Sequence, residues 1–245
     1  MRYRVGLLLL VLVTLVLVGC GRFGVLNLQR GSGNLKTESR QVSGFHGVTL
    51  AYVGELNITQ GDTESLSIEA DDNILPLIET DVQDGILRIR TEPVSGSIIP
   101  TKGPIYTLSV KSLDSVQRDG AGNIRIPSLN TDSLHLVISG AGDSTITQLT
   151  TKDLQVLMSG AGTVTVSGET GSQTATLSGL GSYNAGDLKS TQAAITISGA
   201  GSATVWAEQT LNVQISGAGT LSYYGNPQVT QQVAGVGSIK QLGSK

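Results

Sequence analysis

The chain has 245 residues, of which 32 are glycine, and only 14% of its residues are charged. The 39% hydrophobic share argues against intrinsic disorder, and a net charge of -3 without a basic stripe argues against nucleic-acid binding. One cysteine and two histidines leave no material for an internal disulfide, a CxxC metal site or most histidine-based acid/base catalysis.

The first twenty residues combine a basic start, an apolar run and a single cysteine. Two arginines precede an uncharged run over 5–18, which is shorter than the ~20 residues of a membrane-spanning helix. The run ends in LVGC at 17–20, which resembles the lipobox of bacterial lipoproteins. That resemblance implies that 1–19 are a signal peptide and that Cys20 carries a lipid anchoring an extracytoplasmic protein to the membrane. An uncleaved N-terminal anchor is the alternative, and it also places the remaining chain outside the cytoplasm.

Two segments precede the repeats described below. Residues 20–40 are polar and rich in Gly, Ser and Asn, which predicts a lipid-bearing tether without regular structure. Residues 41–112 contain short runs of alternating apolar and polar residues, which predict the strands of an N-terminal β part. These runs are 48–53, 56–59, 66–70, 86–90 and 106–110. Only 73–80 has a brief helical pattern.

The remaining part, 113–245, repeats a glycine pair. Gly-x-Gly occurs seven times at successive spacings of 20, 20, 19, 20, 18 and 18 residues, beginning at Gly120, Gly140, Gly160, Gly179, Gly199, Gly217 and Gly235. Five pairs follow a serine: Ser139, Ser159, Ser178, Ser198 and Ser216. Apolar residues alternate on both sides of each pair. Each copy is therefore predicted to form two short strands that meet at a glycine corner and turn their apolar sides inward.

No single copy can bury its own apolar face, so the copies must stack. With one coil per repeat and ~4.8 Å between strands, seven copies form a column of ~30 Å. The predicted fold is all-β, a parallel β-solenoid with the corner glycines and the serine hydroxyls in ladders along one edge. Glycine suits these corners because a side chain would obstruct the close approach of neighbouring coils.

Several segments resemble one known family. The SGAG repeats, together with GFHGV at 44–48, GILRI at 85–89 and YGNP at 224–227, are similar to the head GIN domain family, DUF2807, described as adhesin heads of autotransporters. The resemblance covers about 42–242. It implies a right-handed, β-helix-like solenoid on secreted or lipid-anchored bacterial proteins, without an established enzyme activity. The family has no agreed catalytic or binding residues to carry over.

Motifs for catalysis, cofactors and metals are missing or incomplete. The glycine pairs match no GxGxxG, Walker or GxSxG motif, and the acidic residues of the repeats share no register that would pair two carboxylates on a glycosidic bond. We therefore expect no enzyme activity, no cofactor and no metal. Asp71, Asp72 and Asn73 could supply oxygen ligands to a cation, but a solvated face or a cap for the short helix at Ile74 is the preferred interpretation.

One aromatic pair is the candidate ligand site. Trp206 and Tyr224 each lie five residues after a second corner glycine, which predicts that they stand one above the other on the outer face. Such a pair could stack on a sugar ring. The preferred alternative is that, with Leu242, they cover the C-terminal end of the column. His46 and His135 have no partner suggested by spacing and are expected at the surface.

These features predict a lipid-anchored cell-envelope protein that acts as a non-catalytic binding or adhesion module. Its partners would be the membrane, through the lipid on Cys20, and a glycan or an envelope or surface protein. A structural or stress-related envelope scaffold is the first alternative. A polysaccharide-active β-helix enzyme is the second.

Overall fold

The structure of the protein is a computed structural model that describes residues 28–91 and 97–245. Cys20 and the predicted signal peptide at 1–19 lie outside these residues. Within the two described ranges, no helix is long and apolar enough to cross a membrane. The strands there are β1 (Gln29–Arg30), β2 (Leu35–Arg40), β3 (Gly47–Leu50), β4 (Gly54–Gln60), β5 (Ser65–Asp71), β6 (Ile78–Gln83), β7 (Ile86–Thr91), β8 (Ile98–Ile99), β9 (Ile105–Val110), β10 (Ser115–Arg118), β11 (Gly122–Asn130), β12 (Ser133–Ile138), β13 (Ser144–Met158), β14 (Thr163–Leu177), β15 (Ser182–Ile197), β16 (Ser202–Ile215), β17 (Thr220–Tyr224), β18 (Gln228–Val233) and β19 (Ser238–Gly243).

Parallel pairing stacks these strands into coils. The strands before the corners form one ladder, in which β7, β3, β10 and β12 lead through the second halves of β13 to β16 and on to β18. The strands after the corners form a second ladder from β9 and β4 through β11 to β17 and β19. The result is a parallel β-solenoid of about 6 turns, with 68% of the described residues in strands. The fold class expected from the repeats is confirmed.

The core is the column of side chains that the coils turn inward. Leu136, Val156, Ala175, Ile195 and Val213 occupy one such column, each in register with the next, and all are buried. Along each strand, the positions that alternate with the inward ones point outward and are mostly polar, as the period of two in the sequence requires. Burial of each large aliphatic side chain stabilises the fold by ~1.5–3 kcal/mol relative to exposure.

The glycine corners stack main chain on main chain. A Cβ atom on Gly140 would lie 1.8 Å from the carbonyl oxygen of Gly120, and one on Gly160 would lie 1.9 Å from that of Gly140. No side chain fits there, because real Cβ atoms do not approach backbone atoms below 3.0 Å. The serine before the corner donates its N–H to the coil below, as from Ser139 to the Arg118 carbonyl at 3.0 Å. Close coil contact therefore explains the glycine repeat.

The polar residue after each corner also has a structural role in the first coils. The Asn123 side-chain oxygen accepts a hydrogen bond from the Asp143 N–H at 3.0 Å, and the Asp143 carboxylate accepts one from the Thr163 N–H at 2.9 Å. Each side chain thus bonds to the main chain of the next coil. This ladder gives Asn123 and Asp143 a structural role.

The N-terminal part differs from the sequence prediction in two places. The tether predicted through residue 40 is wrong from Gln29 onward, because β1 pairs with β8 and β2 pairs antiparallel with β5. β2 is largely exposed and polar on both faces, so its sequence carries no apolar period that would reveal a strand. The helical pattern at 73–80 yields only a 3-10 turn, Leu75–Leu77, because β6 begins at Ile78 and pairs antiparallel with β7.

Candidate functional site

The two residues of the aromatic pair, Trp206 and Tyr224, stand in register in β16 and β17. Both side chains are half-buried on the outer face. Trp206 lies between Lys189 in the coil below and Tyr224 in the coil above. The juxtaposition expected from the spacing is therefore present. A role in binding ligand stays a prediction.

Leu242 does not take the position that the spacing suggests. The register shifts between Tyr223 and Tyr224, so Gly243 rather than Leu242 stands opposite Tyr224. Leu242 is instead 39% exposed. β19 lies outside β17 in the ladder, so the aromatic pair does not form the outermost layer of the column.

A lysine ammonium lies over the aromatic pair. The Nζ atom of Lys245 is 4.8 Å from the ring centre of Tyr224 and 5.9 Å from that of Trp206, within the range of cation–π attraction. The same ammonium donates a hydrogen bond to the Gly186 carbonyl at 2.7 Å and pairs with the Asp187 carboxylate. The site thus joins two ring faces, a carbonyl oxygen and a carboxylate around one positive charge.

A buried polar network holds the main chain of Trp206 from the inner side. Tyr183 Oη donates to Gln173 Oε1 at 3.0 Å, and Gln173 Nε2 donates to Ser190 Oγ at 2.8 Å. Ser190 Oγ in turn donates to the Trp206 carbonyl at 2.5 Å. Burial raises the pKa of Tyr183 well above its usual value, so its hydroxyl stays protonated as a donor. Gln173 stands opposite Leu154, an inward position where a glutamine could have been recognised as exceptional.

A shallow groove runs across the outer face of β15, β16 and β18. Its volume is about 190 Å³, and its polar lining comes from Thr196, Asn212, Gln214, Thr230 and Gln232. None of these side chains is charged, and the hydroxyl and amide groups include both hydrogen-bond donors and acceptors. We call this surface the amide groove. Its position follows from the strand alternation, which turns the apolar side chains inward and leaves these polar ones outside.

Asp71, Asp72 and Asn73 form hydrogen bonds that hold other segments of the chain in place, and we call these three residues the anchor. Asp71 is fully buried, and its carboxylate accepts hydrogen bonds from Gly33 N–H at 2.8 Å, Thr101 N–H at 2.9 Å and Thr101 Oγ1 at 2.5 Å. The side-chain hydrogen bond from Thr101 is the largest cause that lowers the pKa of Asp71, against the opposing effect of burial. The buried carboxylate therefore stays ionised and joins the start of the described chain to the loop before β9.

The two neighbours of Asp71 complete this anchor. Asp72 accepts a hydrogen bond from Ser32 Oγ at 2.5 Å, and Asn73 Oδ1 accepts one from Ser32 N–H at 2.9 Å. The interpretation as a helix cap is wrong, since the 3-10 turn begins after Ile74 without any side-chain cap. Among residues 28–91 and 97–245, no group of three or more His, Cys, Asp or Glu side chains could hold a metal ion.

Two further polar contacts were not expected from the sequence. His46 and His135 are exposed, as expected, and His46 Nδ1 lies 2.9 Å from Asp114 Oδ1. The contact joins residues 68 positions apart, which spacing alone does not reveal. Arg118 occupies an inward position, is fully buried and donates to the carbonyls of Gly142 at 2.9 Å and Asp143 at 3.3 Å. Its guanidinium supports the first corners from inside the column.

A second cavity lies beside the corners of the N-terminal coils. Its volume is about 400 Å³, and its polar lining includes Glu55, Lys102 and Asn123. Glu55 is paired with Arg125 at 3.2 Å. The Glu55 carboxylate beside this cavity is thus engaged in a contact between coils.

The geometry defines the class of protein as a parallel β-solenoid with polar outer faces. A family model described as "Putative auto-transporter adhesin, head GIN domain" (DUF2807) matches residues 44–227, and the chain belongs to this family. The resemblance stated from the SGAG repeats is confirmed. A comparison with curated proteins gave no match.

Solved structures agree with this assignment. The chain is similar to a putative adhesin from Bacteroides fragilis, with 28% identity, a TM-score of 0.82 and coverage of 87% of this chain and 99% of that one. A putative adhesin from Parabacteroides merdae shares the fold at 22% identity and a TM-score of 0.68, covering 88% of this chain and 99% of that one. A putative lipid binding protein from Parabacteroides distasonis shares it at 22% identity and a TM-score of 0.74, with the same two coverages.

These labels are those of adhesins and a lipid binding protein, and none names an enzyme. Membership of an adhesin family indicates a surface or extracytoplasmic protein. The same membership is consistent with a surface adhesion-like module.

Proposed function

We propose that the protein is a lipid-anchored, non-catalytic binding module of the cell envelope that attaches to a glycan or to a surface protein. The observation that carries the proposal is the polar outer face of the column, with the amide groove across three coils. Membership of an adhesin family supports the same conclusion. The LVGC pattern at 17–20 supports attachment to the membrane through lipid on Cys20.

The repeat geometry favours an extended ligand. Outward side chains recur at the strand spacing of ~4.8 Å, so the column offers hydroxyl and amide groups at regular intervals. In the amide groove, Asn212 stands in register with Thr230, and Gln214 with Gln232. Because sugar hydroxyls both donate and accept hydrogen bonds, such a surface suits a glycan chain. The aromatic pair would add a stacking surface for a sugar ring.

Direct binding assays test the proposal. The chain without residues 1–19, carrying Cys20→Ser, would be measured against glycans, peptidoglycan and matrix proteins, with the bound material checked for cleavage. We expect saturable binding without cleavage products. Asn212→Ala and Gln214→Ala should weaken it about fivefold to tenfold each, the loss of one or two hydrogen bonds. Gln155→Ala is the matched control, because Gln155 is exposed in the same outward column three coils away.

The outcomes separate the alternatives. Binding that Asn212→Ala and Gln155→Ala weaken equally would remove the amide groove from the proposal. Cleaved glycan would establish an enzyme. No binding by a correctly folded sample would favour the envelope scaffold.

The lipid anchor is tested separately in cells. Metabolic labelling with a fatty acid should mark the wild-type protein and place it in the membrane fraction. Cys20→Ser should abolish the label. A wild-type protein that takes up no fatty acid and stays in the membrane fraction with residues 1–19 still attached would establish the uncleaved anchor instead.

A further inference from the structure

We infer that the aromatic pair, with Gly186 O and the Asp187 carboxylate, forms a binding site for a primary alkylammonium group, such as the lysine side chain of a partner protein. Lys245 of the same chain fills this site and must leave before a partner can enter. The inference rests on the proposed function only in treating the aromatic pair as a binding surface. It does not require that the protein binds a glycan.

The contacts around Lys245 define the chemistry of the ligand. The ammonium meets the faces of two rings at 4.8 and 5.9 Å, and both faces attract positive charge. The Gly186 carbonyl accepts a hydrogen bond at 2.7 Å, and the Asp187 carboxylate accepts another. A ligand that satisfies both acceptors needs N–H groups. A primary ammonium supplies them and a quaternary ammonium does not.

The neighbouring residues hold the rings and acceptors of the site in place, and the nearest other cation has its own ion-pair partner. Lys189, the cation beside Trp206 in the coil below, is paired with Glu208 at 3.3 Å. Gly186 leaves room for the Tyr224 ring, since a Cβ there would lie 3.2 Å from its Cε2 atom. The Trp206 main chain is bonded to Ser190. The rings and acceptors therefore belong to ordered coils, and Lys245 is the part that can be exchanged.

Self-occupancy lowers the apparent affinity for an external amine. An external amine must compete with a side chain that is tethered beside the site, and its apparent dissociation constant rises by the inverse of the unoccupied fraction. Removal of Lys245 should therefore strengthen binding of an external amine. We expect a gain of about fivefold.

Trp206 reports on the site directly, because it is the one tryptophan of the sequence. The lipid-free Cys20→Ser chain and its Lys245→Ala and Lys240→Ala variants would be compared by acrylamide quenching. Lys240 is exposed in β19, five residues before Lys245, so its removal is the matched change in charge. We expect greater quenching only in Lys245→Ala. Equal quenching in all three would show that Lys245 does not cover the indole and would overturn the inference.

The fluorescence titration then identifies the ligand class. Nα-acetyl-lysine amide and cadaverine should change the emission of Lys245→Ala with half-saturation at ~1–10 mM. The same lysine derivative acetylated on Nε, which is neutral, and tetramethylammonium, which lacks N–H donors, should not. A Lys-containing peptide that binds better than cadaverine would indicate a protein partner, and equal binding would indicate free amines.

Two variants guard against a nonspecific effect. Asp187→Asn and Tyr224→Leu, each combined with Lys245→Ala, should weaken amine binding about threefold or more while the melting temperature stays close to that of the single variant. Amine binding by Lys245→Ala that is unchanged in both double variants, or absent, would overturn the inference. Either result leaves the glycan and surface-protein assays unaffected, so the two proposals can fail independently.

Discussion

The repeat coils and the N-terminal part hold their strands together by different means. In the repeats, corner glycines bring one main chain against the next, as at Gly140 over Gly120. In the N-terminal part, buried side chains join segments far apart in sequence, and Asp71 bonds to both Gly33 and Thr101. The corners of the repeats thus depend on the absence of side chains, whereas the first segment of the described N-terminal part is held by one carboxylate.

The two ends of the column also differ. At the first end both ladders finish on antiparallel strands, β6 beside β7 and β2 beside β5. β2 carries Lys36, Glu38 and Arg40, charges that discourage edge-to-edge pairing. At the other end the described chain finishes on β18 and β19, which are almost entirely exposed. Antiparallel reversal therefore closes one end of the solenoid, and the parallel coils continue to the other.

The largest expected effect tests the main-chain stacking of the corners. Gly140→Ala should destabilise the protein by about 3 kcal/mol, because the added methyl overlaps a backbone oxygen that cannot move without its whole coil. Gly61→Ala is the control, since its Cβ would meet only Ser109 Oγ at 3.9 Å. Chemical denaturation measures both. Equal losses in the two variants would contradict the stacking account.

The second effect tests the anchor of the N-terminal part. Asp71→Asn should cost about 2 kcal/mol at neutral pH, because an amide replaces a carboxylate that accepts three hydrogen bonds. Hydrogen exchange should increase at β1 and around Thr101, and little in the repeats. Asp72→Asn, which alters a half-exposed carboxylate with one such bond from Ser32, is the milder control.

The same anchor predicts a pH dependence. The pKa of Asp71 is lower in the folded protein than its usual value of 3.8, so its contribution to stability is complete above that pH. The contribution is lost as the pH falls through the folded pKa. Wild type and Asp71→Asn should therefore approach the same stability in strong acid. A difference between them that stays constant from pH 7 to strong acid would mean that ionisation of Asp71 does not stabilise the fold.

A smaller effect tests the polar network inside the repeats. Tyr183→Phe should cost about 1 kcal/mol, because Gln173 Oε1 loses its donor in a dry interior. Combining it with Gln173→Leu should cost less than the two single changes summed, since the double variant removes both members of that bond. A strictly additive double variant would show that the tyrosine and the glutamine are not coupled.

The smallest effect concerns the surface of the repeats. Lys189→Ala removes an ion pair to Glu208 at 3.3 Å between side chains that are 44% and 45% exposed. We expect a loss below ~0.5 kcal/mol that disappears at high salt. A larger loss would mean that exposed ion pairs contribute substantially to the stability of the repeat coils.

The sequence predicted the structural features that recur in every coil and missed those that occur only once. The spacing of glycine pairs indicated the corners, and the period of two indicated the inward faces, because both recur in every coil. The positions of Arg118 and Gln173 follow the same register, yet their polar chemistry inside the column was not anticipated. β2 escaped detection because an exposed polar strand has no apolar period. The anchor at Asp71 depends on contacts 30 to 38 residues apart, which no local pattern encodes.

The candidate site was predicted in the same partial way. Equal offsets from the corners correctly placed Trp206 beside Tyr224. The offset misplaced Leu242, because the register shifts by one residue after Tyr223. Lys245 over the two rings belongs to no repeat and therefore carried no signal.

The corner contacts determine by what steps the length of the solenoid can change. Each corner contacts the coils directly before and after it, so a complete copy can be gained or lost without disturbing the register of the others. A partial copy would bring a Cβ-bearing residue into the glycine column. Insertions and deletions should therefore be tolerated in whole units of about 18 to 20 residues, the spacing of the glycine pairs. Each unit would move one end of the molecule by ~4.8 Å relative to the other.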